Sequence, residues 1–241
     1  MGGGRPRRGG GGVQEQTSVG VVISNEWYRR GMATAIAECA HHRVAAVADH
    51  RDAMACTGAL AGLDLVVVDA FSRPDDWDRL GGANVVARLK AALDPPKVVA
   101  LLPSDPYGIA ELRMLEVGAD RLIDRAAVTD AADLRHLVLG GRSTGSSPRE
   151  LADRLRPLGL TTRSRPGAGL ELVREHGLAD EFDAPEPSLS RRQTITIRTR
   201  LSEAMGMAPI PAGSGAVITR VLPSWRQVCD VIQAARGLTC G

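Results

Sequence analysis

Leu63-Asp64-Leu65-Val66-Val67-Val68-Asp69-Ala70 is the stretch on which the fold turns. An unbroken run of branched apolar residues bounded by carboxylates suits a strand covered on both faces, as in parallel sheets with helices above and below. In open sheets of that kind, ligands and chemistry gather at the carboxyl ends of the strands. Asp69 stands at such an end and is the first candidate functional group.

Working outward from it, strands and helices alternate. Residues 19–23 and 44–48 read as strands, and between them Tyr28, Met32 and Ile36 recur at helical spacing. A weak helix over 51–61 precedes the Asp69 strand, and a polar loop over 71–82 follows it. The next helix carries Val86, Leu89 and Leu93 as its buried stripe and is stopped by Pro95 and Pro96. Residues 98–102 form a fourth strand. A helix over 105–117 buries Ile109, Leu112 and Leu115, with Gly118 as its cap. Leu122 and Ile123 make a short fifth strand, and Leu134, Leu137 and Val138 mark a closing helix that ends at Gly140-Gly141. Crossovers of this length are too long for hairpins and force parallel neighbours. The expected fold is a five-stranded doubly wound parallel sheet, flavodoxin-like, followed by a mostly α-helical C-terminal domain.

A chain of 241 residues suits two small domains. Residues 1–17 are Gly-rich and basic, lack the apolar segment of a secretory signal, and read as a disordered tail. The α/β domain covers 18–139. Gly140 to Pro148 has the composition of a flexible linker, and 149–241 is the helical domain. The 30 basic and 28 acidic residues leave a net charge of only +2, so a basic footprint for nucleic acid has to be local. Aromatic residues make up 3% of the chain, which argues against base stacking on single strands. Cys39, Cys56, Cys229 and Cys240 form no Cys-x-x-Cys pair, suggesting neither a disulfide framework nor a zinc site. No apolar run approaches the roughly 20 residues of a membrane helix. A cytoplasmic protein without membrane contact is expected.

Three segments together resemble a bacterial receiver domain: Gly62 to Asp69, Val98-Val99-Ala100-Leu101-Leu102, and Leu115-Glu116-Val117-Gly118-Ala119-Asp120. The likeness spans about residues 18–127 and would make Asp69 the phosphoacceptor equivalent. Receiver chemistry also uses an acidic pair that helps hold Mg2+, a hydroxyl and a lysine. Here the acidic pair falls on Ile23 and Ser24, or with a shift on Asn25 and Glu26. The hydroxyl position is Leu102, with Ser104 two residues too late, and the lysine position is Arg125, whose shape and reach differ. The aromatic switch position is Leu122, and the loop after Asp69 is longer than the family's usual turn. The resemblance therefore implies a pseudo-receiver in which Asp69 persists as a structural group, for instance as a partner of Arg125. Mg2+ is expected only if the phosphoacceptor chemistry survives, and no other cofactor or metal is implied.

In the C-terminal part, Ser147-Pro148-Arg149-Glu150 opens a helix with Leu151, Leu155 and Leu158 on one face, and 170–181 offers another. The informative stretch runs from Leu189 to Met207. Ser190 suits a cap, and Arg191, Arg192, Gln193 and Thr194 in the first turn present groups for base edges and phosphates. Ile197, Leu201 and Met205 would seat the helix, while Arg198 and Arg200 add charge. The layout is similar to the recognition helix of LuxR-type helix-turn-helix regulators, with Leu189-Ser190 and Met205-Gly206-Met207 as its ends. Leu172 to Leu178 is similar to that family's preceding helix and Gly-Leu turn. The β-branched run Thr194-Ile195-Thr196-Ile197 leaves a strand open as an alternative. Residues 208–216 insert Pro and Gly where the family has a short turn, before a last amphipathic helix over 225–235.

Other constellations are weaker. Gly141-Arg142-Ser143-Thr144-Gly145 satisfies the nucleophile-elbow pattern of a serine hydrolase, but its surroundings read as linker. His41, His42 and His50 with Cys39 lack metal-ligand spacing and read as solvated turn residues. The chain is expected not to be an enzyme. It reads as a transcriptional regulator of response-regulator type, probing double-stranded promoter DNA as a homodimer, since paired half-sites need two copies. Its control would come from dimerisation or from a small-molecule or protein signal at the pseudo-receiver. The alternative is a protein-interaction module that grips another regulator or polymerase and leaves DNA unbound.

Overall fold

The computed structural model describes residues 16–76, 78–158, 191–207, 209–210 and 219–238. Its first half runs β1 (Thr17–Val22), α1 (Glu26–Ala37), β2 (His42–Ala48), α2 (His50–Ala55), α3 (Thr57–Ala61), β3 (Leu65–Asp69), α4 (Gly81–Lys90), β4 (Lys97–Leu102), α5 (Ile109–Glu116) and β5 (Arg121–Asp124). All five strands are parallel, in the order β2-β1-β3-β4-β5. This is the flavodoxin-like doubly wound order, with its switch point between β1 and β3. The expected fold class is the observed one.

Every residue of β3 is buried, and its two faces divide the core. Val66 and Val68 pack with Ala53, Leu60, Val86 and Leu112 on the side of α2 to α5. Leu65 and Val67 pack with Met32 and Ile36 of α1 and with Leu134 and Val138 on the other side. Alternation of side chains along a strand thus supplies both layers from one short run.

Two helix stripes differ from the sequence expectation. Helix α4 ends at Lys90, so Leu93 lies beyond it and is fully exposed. Helix α5 begins only at Ile109, because the Asp105 carboxylate accepts hydrogen bonds from the Tyr107, Gly108 and Ala110 amides and holds a turn there. Gly108 closes that turn at φ 76°, a left-handed conformation that glycine adopts without steric cost. Starting late, α5 buries Met114 and leaves Leu115 42% exposed.

After β5, a short α6 (Ala131–Asp133) continues as a π-helical turn over Leu134–Leu139. The Gly/Ser run that follows, expected as a flexible linker, lies along β5. The Thr144 amide donates to the Leu122 carbonyl at 2.8 Å, and the Asp124 amide donates to the Thr144 hydroxyl at 2.7 Å. Helix α7 (Pro148–Leu155) opens where the sequence suggested, and its cap is a capping box of Ser147 and Glu150. It buries Leu151 and Leu155 beside α5, where Arg154 meets Glu111 at 2.8 Å.

The rest of the described chain comprises α8 (Arg191–Ala204), an antiparallel pair of β6 (Pro209–Ile210) and β7 (Thr219–Arg220), and α9 (Trp225–Gly237). The β-branched run at 194–197 is helical. Its low propensity is offset within α8 by Leu201, which is buried with Met205 just beyond the helix. Val228, Val231 and Ala235 of α9 join the same core cluster as α4 and α5. Polar ties cross between the halves: Gln227 to Asp78 at 2.7 Å, Arg113 to Asp230 at 3.5 Å, and the Arg79 Nε to the Met205 carbonyl at 2.9 Å. The proposed tail up to residue 15, the helix expected over 170–181 and the pair Leu189-Ser190 lie outside the described residues. No helix among the described residues is long and apolar enough to cross a membrane.

Candidate functional site

The carboxyl ends of β1, β3 and β5 open onto a cleft of about 740 Å3 with Asp69 in its floor. Helix α4 is drawn tightly against this rim. A Cβ on Gly82 would stand 2.1 Å from the Asp69 carbonyl oxygen and 2.6 Å from that of Ala70, so only glycine fits. Asp69 is 4% exposed. Its Oδ2 lies 3.5 Å from Nη1 of Arg125, and its Oδ1 is buried without a hydrogen-bond partner. Burial pushes the Asp69 carboxyl up to about 6, against the pull of Arg125 and then of Arg79.

Arg125 follows β5 directly and reaches back across the rim, with its guanidinium 5.5 Å from the centre of the Tyr28 ring. Tyr28 is itself half-buried, and burial raises its hydroxyl to about 12. Glu26 lies at the mouth of the cleft and is held by Arg30 at 2.6 Å, one turn along α1. Asn25 serves as the N-cap of α1, accepting the Tyr28 amide at 2.9 Å. Leu102 is buried in the core and Ser104 is exposed, so neither brings a hydroxyl to the cleft. Leu122 is also a core residue.

Two features escaped the sequence reading. The first is His50, expected as a solvated turn residue; it is buried at the start of α2, its Nδ1 3.0 Å from the Ser24 hydroxyl and 2.9 Å from the Ser72 hydroxyl. Burial lowers it to about 4, so the ring is neutral near pH 7. The second is a set of arginines. Arg29, Arg73 and Arg79 line the same cleft as Arg125. The long loop after β3 delivers Arg73 and Arg79, and it is closed by the Ser72 amide on the Arg79 carbonyl at 3.0 Å. Arg79 is buried, stacks 4.6 Å from the centre of the Phe71 ring, and is drawn down to about 10 by desolvation. The loop's excess length over the usual turn was its only trace in the sequence.

The carboxylates around the cleft are already engaged. Asp49 caps α2 through the Asp52 amide, Asp75 pairs with Arg73 at 3.3 Å, and Glu26 pairs with Arg30. Among the described residues no group of three or more His, Cys, Asp or Glu side chains is placed to hold a metal ion. What the cleft offers chemically is guanidinium charge around one buried carboxyl group.

In the C-terminal part, Arg191, Arg192, Gln193 and Thr194 form the first turn of α8. Arg200 is exposed, whereas Arg198 donates from Nε to the Pro223 carbonyl at 2.8 Å and helps join α8 to the segment before α9. Ser143 does not sit on a nucleophile elbow: its hydroxyl donates to the Leu122 carbonyl at 3.0 Å, in the segment that lies along β5.

No family model matches the chain, and no curated protein does. Solved structures of similar shape include the signal receiver domain of NarL from Mycobacterium tuberculosis, at 20% identity and a TM-score of 0.44, covering 53% of this chain and 99% of that one. A LuxR family DNA-binding response regulator from Silicibacter pomeroyi is 23% identical with a TM-score of 0.38, covering 51% and 88%. The RcsB response regulator from Salmonella typhimurium is 12% identical with a TM-score of 0.43, covering 94% and 100%. The fold assignment rests on the strand order itself.

Proposed function

We propose that the chain is a DNA-binding transcriptional regulator of response-regulator type whose receiver-like half is worked without phosphoryl transfer. The observation that carries the second part is the surroundings of Asp69. Phosphoryl transfer to a carboxylate needs a divalent cation held by several oxygens to neutralise the incoming group. Here Glu26 is taken by Arg30, Ile23 is core, Ser24 is spent on His50, and Asp69 faces Arg125. The remaining control routes are dimerisation and the binding of a small molecule or protein.

The DNA-binding part draws its support from α8. The first turn of α8 has the sequence Arg-Arg-Gln-Thr, residue types that read phosphates and guanine or adenine edges, at a helix N-terminus whose backbone amides favour anions. The test is fluorescence anisotropy with fragments from upstream of the chain's own and neighbouring genes, over 50–200 mM salt. Tight, steeply salt-dependent binding is expected. The joint Arg191→Ala, Arg192→Ala variant loses affinity, and its log-log salt slope shrinks by about 2. No binding to any fragment at low salt, together with recovery of a protein partner, overturns the reading in favour of an interaction module.

A further inference from the structure

Four arginines and four carboxylates line the cleft at Asp69, but Asp75 is paired with Arg73, Glu26 with Arg30 outside it, and Asp49 caps α2, which leaves Asp69 facing Arg29, Arg79 and Arg125. Arg29 donates from Nη1 to the Ile23 carbonyl at 2.6 Å, and Arg79 donates from Nε to the Met205 carbonyl at 2.9 Å. Neither forms an ion pair among the described residues. A guanidinium as buried as Arg79 has given up water and received a carbonyl and an aromatic ring in exchange. Burial of a charge on such terms is costly unless a counter-charge joins it. Asp69, then Asp76 and Asp105, act on Arg79 at a distance, and Asp69, which lines the cleft with it, is shared with Arg125 and keeps one oxygen without any donor. A buried acceptor left unpaired is itself costly.

We propose that this cleft binds a small organic acid carrying a hydroxyl or amine beside its carboxylate, the anionic group against Arg29, Arg79 and Arg125 and the neighbouring donor on Asp69 Oδ1. Both unmet needs are answered by one molecule of that class. The cleft's volume of about 740 Å3 lies within the range usual for small-molecule sites. Guanidinium groups recognise carboxylates through paired N–H donors, which a metal-centred site would not require. The long loop after β3 brings Arg79 back to this rim, closed by the Ser72 amide on the Arg79 carbonyl. Arg79 also reaches the residue that follows α8 through the Met205 carbonyl, so a ligand that engages its guanidinium bears on the hold between the two halves. The proposal rests on the reading of the receiver-like half as a domain that takes no phosphoryl group, and it is tested without DNA.

The experiment is isothermal titration calorimetry on the full chain at pH 7.5 and constant ionic strength. The probes are L-malate, L-glutamate, succinate and inorganic phosphate. Malate or glutamate is expected to bind with a Kd of about 1 mM or tighter, and succinate, which lacks the donor, about tenfold more weakly. Arg29→Gln and Arg125→Gln, each checked for folding by circular dichroism, should each weaken that binding tenfold or more. Asp69→Asn should narrow the difference between malate and succinate. The surface variant Arg88→Gln, outside the cleft, should bind as the parent chain does. Three results overturn the proposal: no heat from any carboxylate up to about 10 mM, binding indifferent to both arginine variants, or binding of phosphate alone. The DNA-binding reading fails separately, in the anisotropy assay, whichever way the calorimetry falls.

Discussion

Replacing Asp69 by Asn should make the protein more stable at neutral pH and leave it unchanged in acid. The native carboxyl is pushed from its ordinary 3.8 up to about 6, mainly by burial. Its neutral form is therefore favoured in the fold by about 3 kcal/mol. Between these two values the folded state holds a proton that the unfolded state has released, so stability falls as pH rises through that window. Above about pH 6 the full penalty is present, and asparagine removes it. His50 works in the opposite sense. Its pKa, lowered from 6.5 to about 4, means the unfolded state binds the extra proton, so stability rises with pH over that interval. In the parent chain these two slopes oppose each other between pH 4 and 6; in Asp69→Asn the rise from His50 is no longer opposed by residue 69. Urea titrations and melts at pH 4, 5, 6, 7 and 8 should show the variant level with the parent at pH 4. By pH 7 it should be ahead by about 2–3 kcal/mol, a gain of roughly 4–12 °C in Tm for a chain of this size. A variant less stable than the parent at pH 8, or an offset that does not change with pH, would refute the account of the buried charge.

Incubation with acetyl phosphate and Mg2+ should give no mass increase that depends on Asp69; an 80 Da adduct, absent from Asp69→Asn, would show working phosphoacceptor chemistry. Gly82→Ala should cost about 2 kcal/mol or more by forcing α4 off the Asp69 and Ala70 carbonyls, read as a lower urea midpoint. Leu155→Ala, emptying a fully buried site on α7, should cost about 2–5 kcal/mol and speed proteolytic cutting within 140–148. Asp230→Ala removes the Arg113 ion pair to α9 and leaves only the 3.2 Å bond to the carbonyl of residue 230, and it should loosen α9 from α5, seen as faster amide exchange in α9.

The sheet was legible because β3 and β4 are apolar runs of strand length bounded by polar residues, and because helix-length segments separate them. Helix faces were less legible where an end moved. Leu93 and Leu115 obey the spacing, yet a stop at Lys90 and a start delayed by the Asp105 turn put both in solvent. At the site, Asp69 was identifiable from its place at a strand end and Arg125 from the receiver resemblance, whereas Arg29, Arg79 and His50 were not. Their roles come from where a loop or helix start folds back in space, and neither composition nor periodicity encodes that. The Gly/Ser run was misread for a related reason: its composition describes an unattached chain, but hydroxyls of Ser143 and Thr144 found backbone partners on β5.

That attachment has a consequence for how copies of the molecule can meet. A parallel sheet presents two flanks of unpaired amides and carbonyls, and each invites another strand. Beside β5 the flank is occupied by the chain's own residues 143–144, leaving, among the described residues, the outer side of β2. Association by strand addition through a single open flank is self-limiting, because two β2 strands meeting about a two-fold axis use up both flanks. Growth by strand addition through this five-stranded sheet stops at a pair.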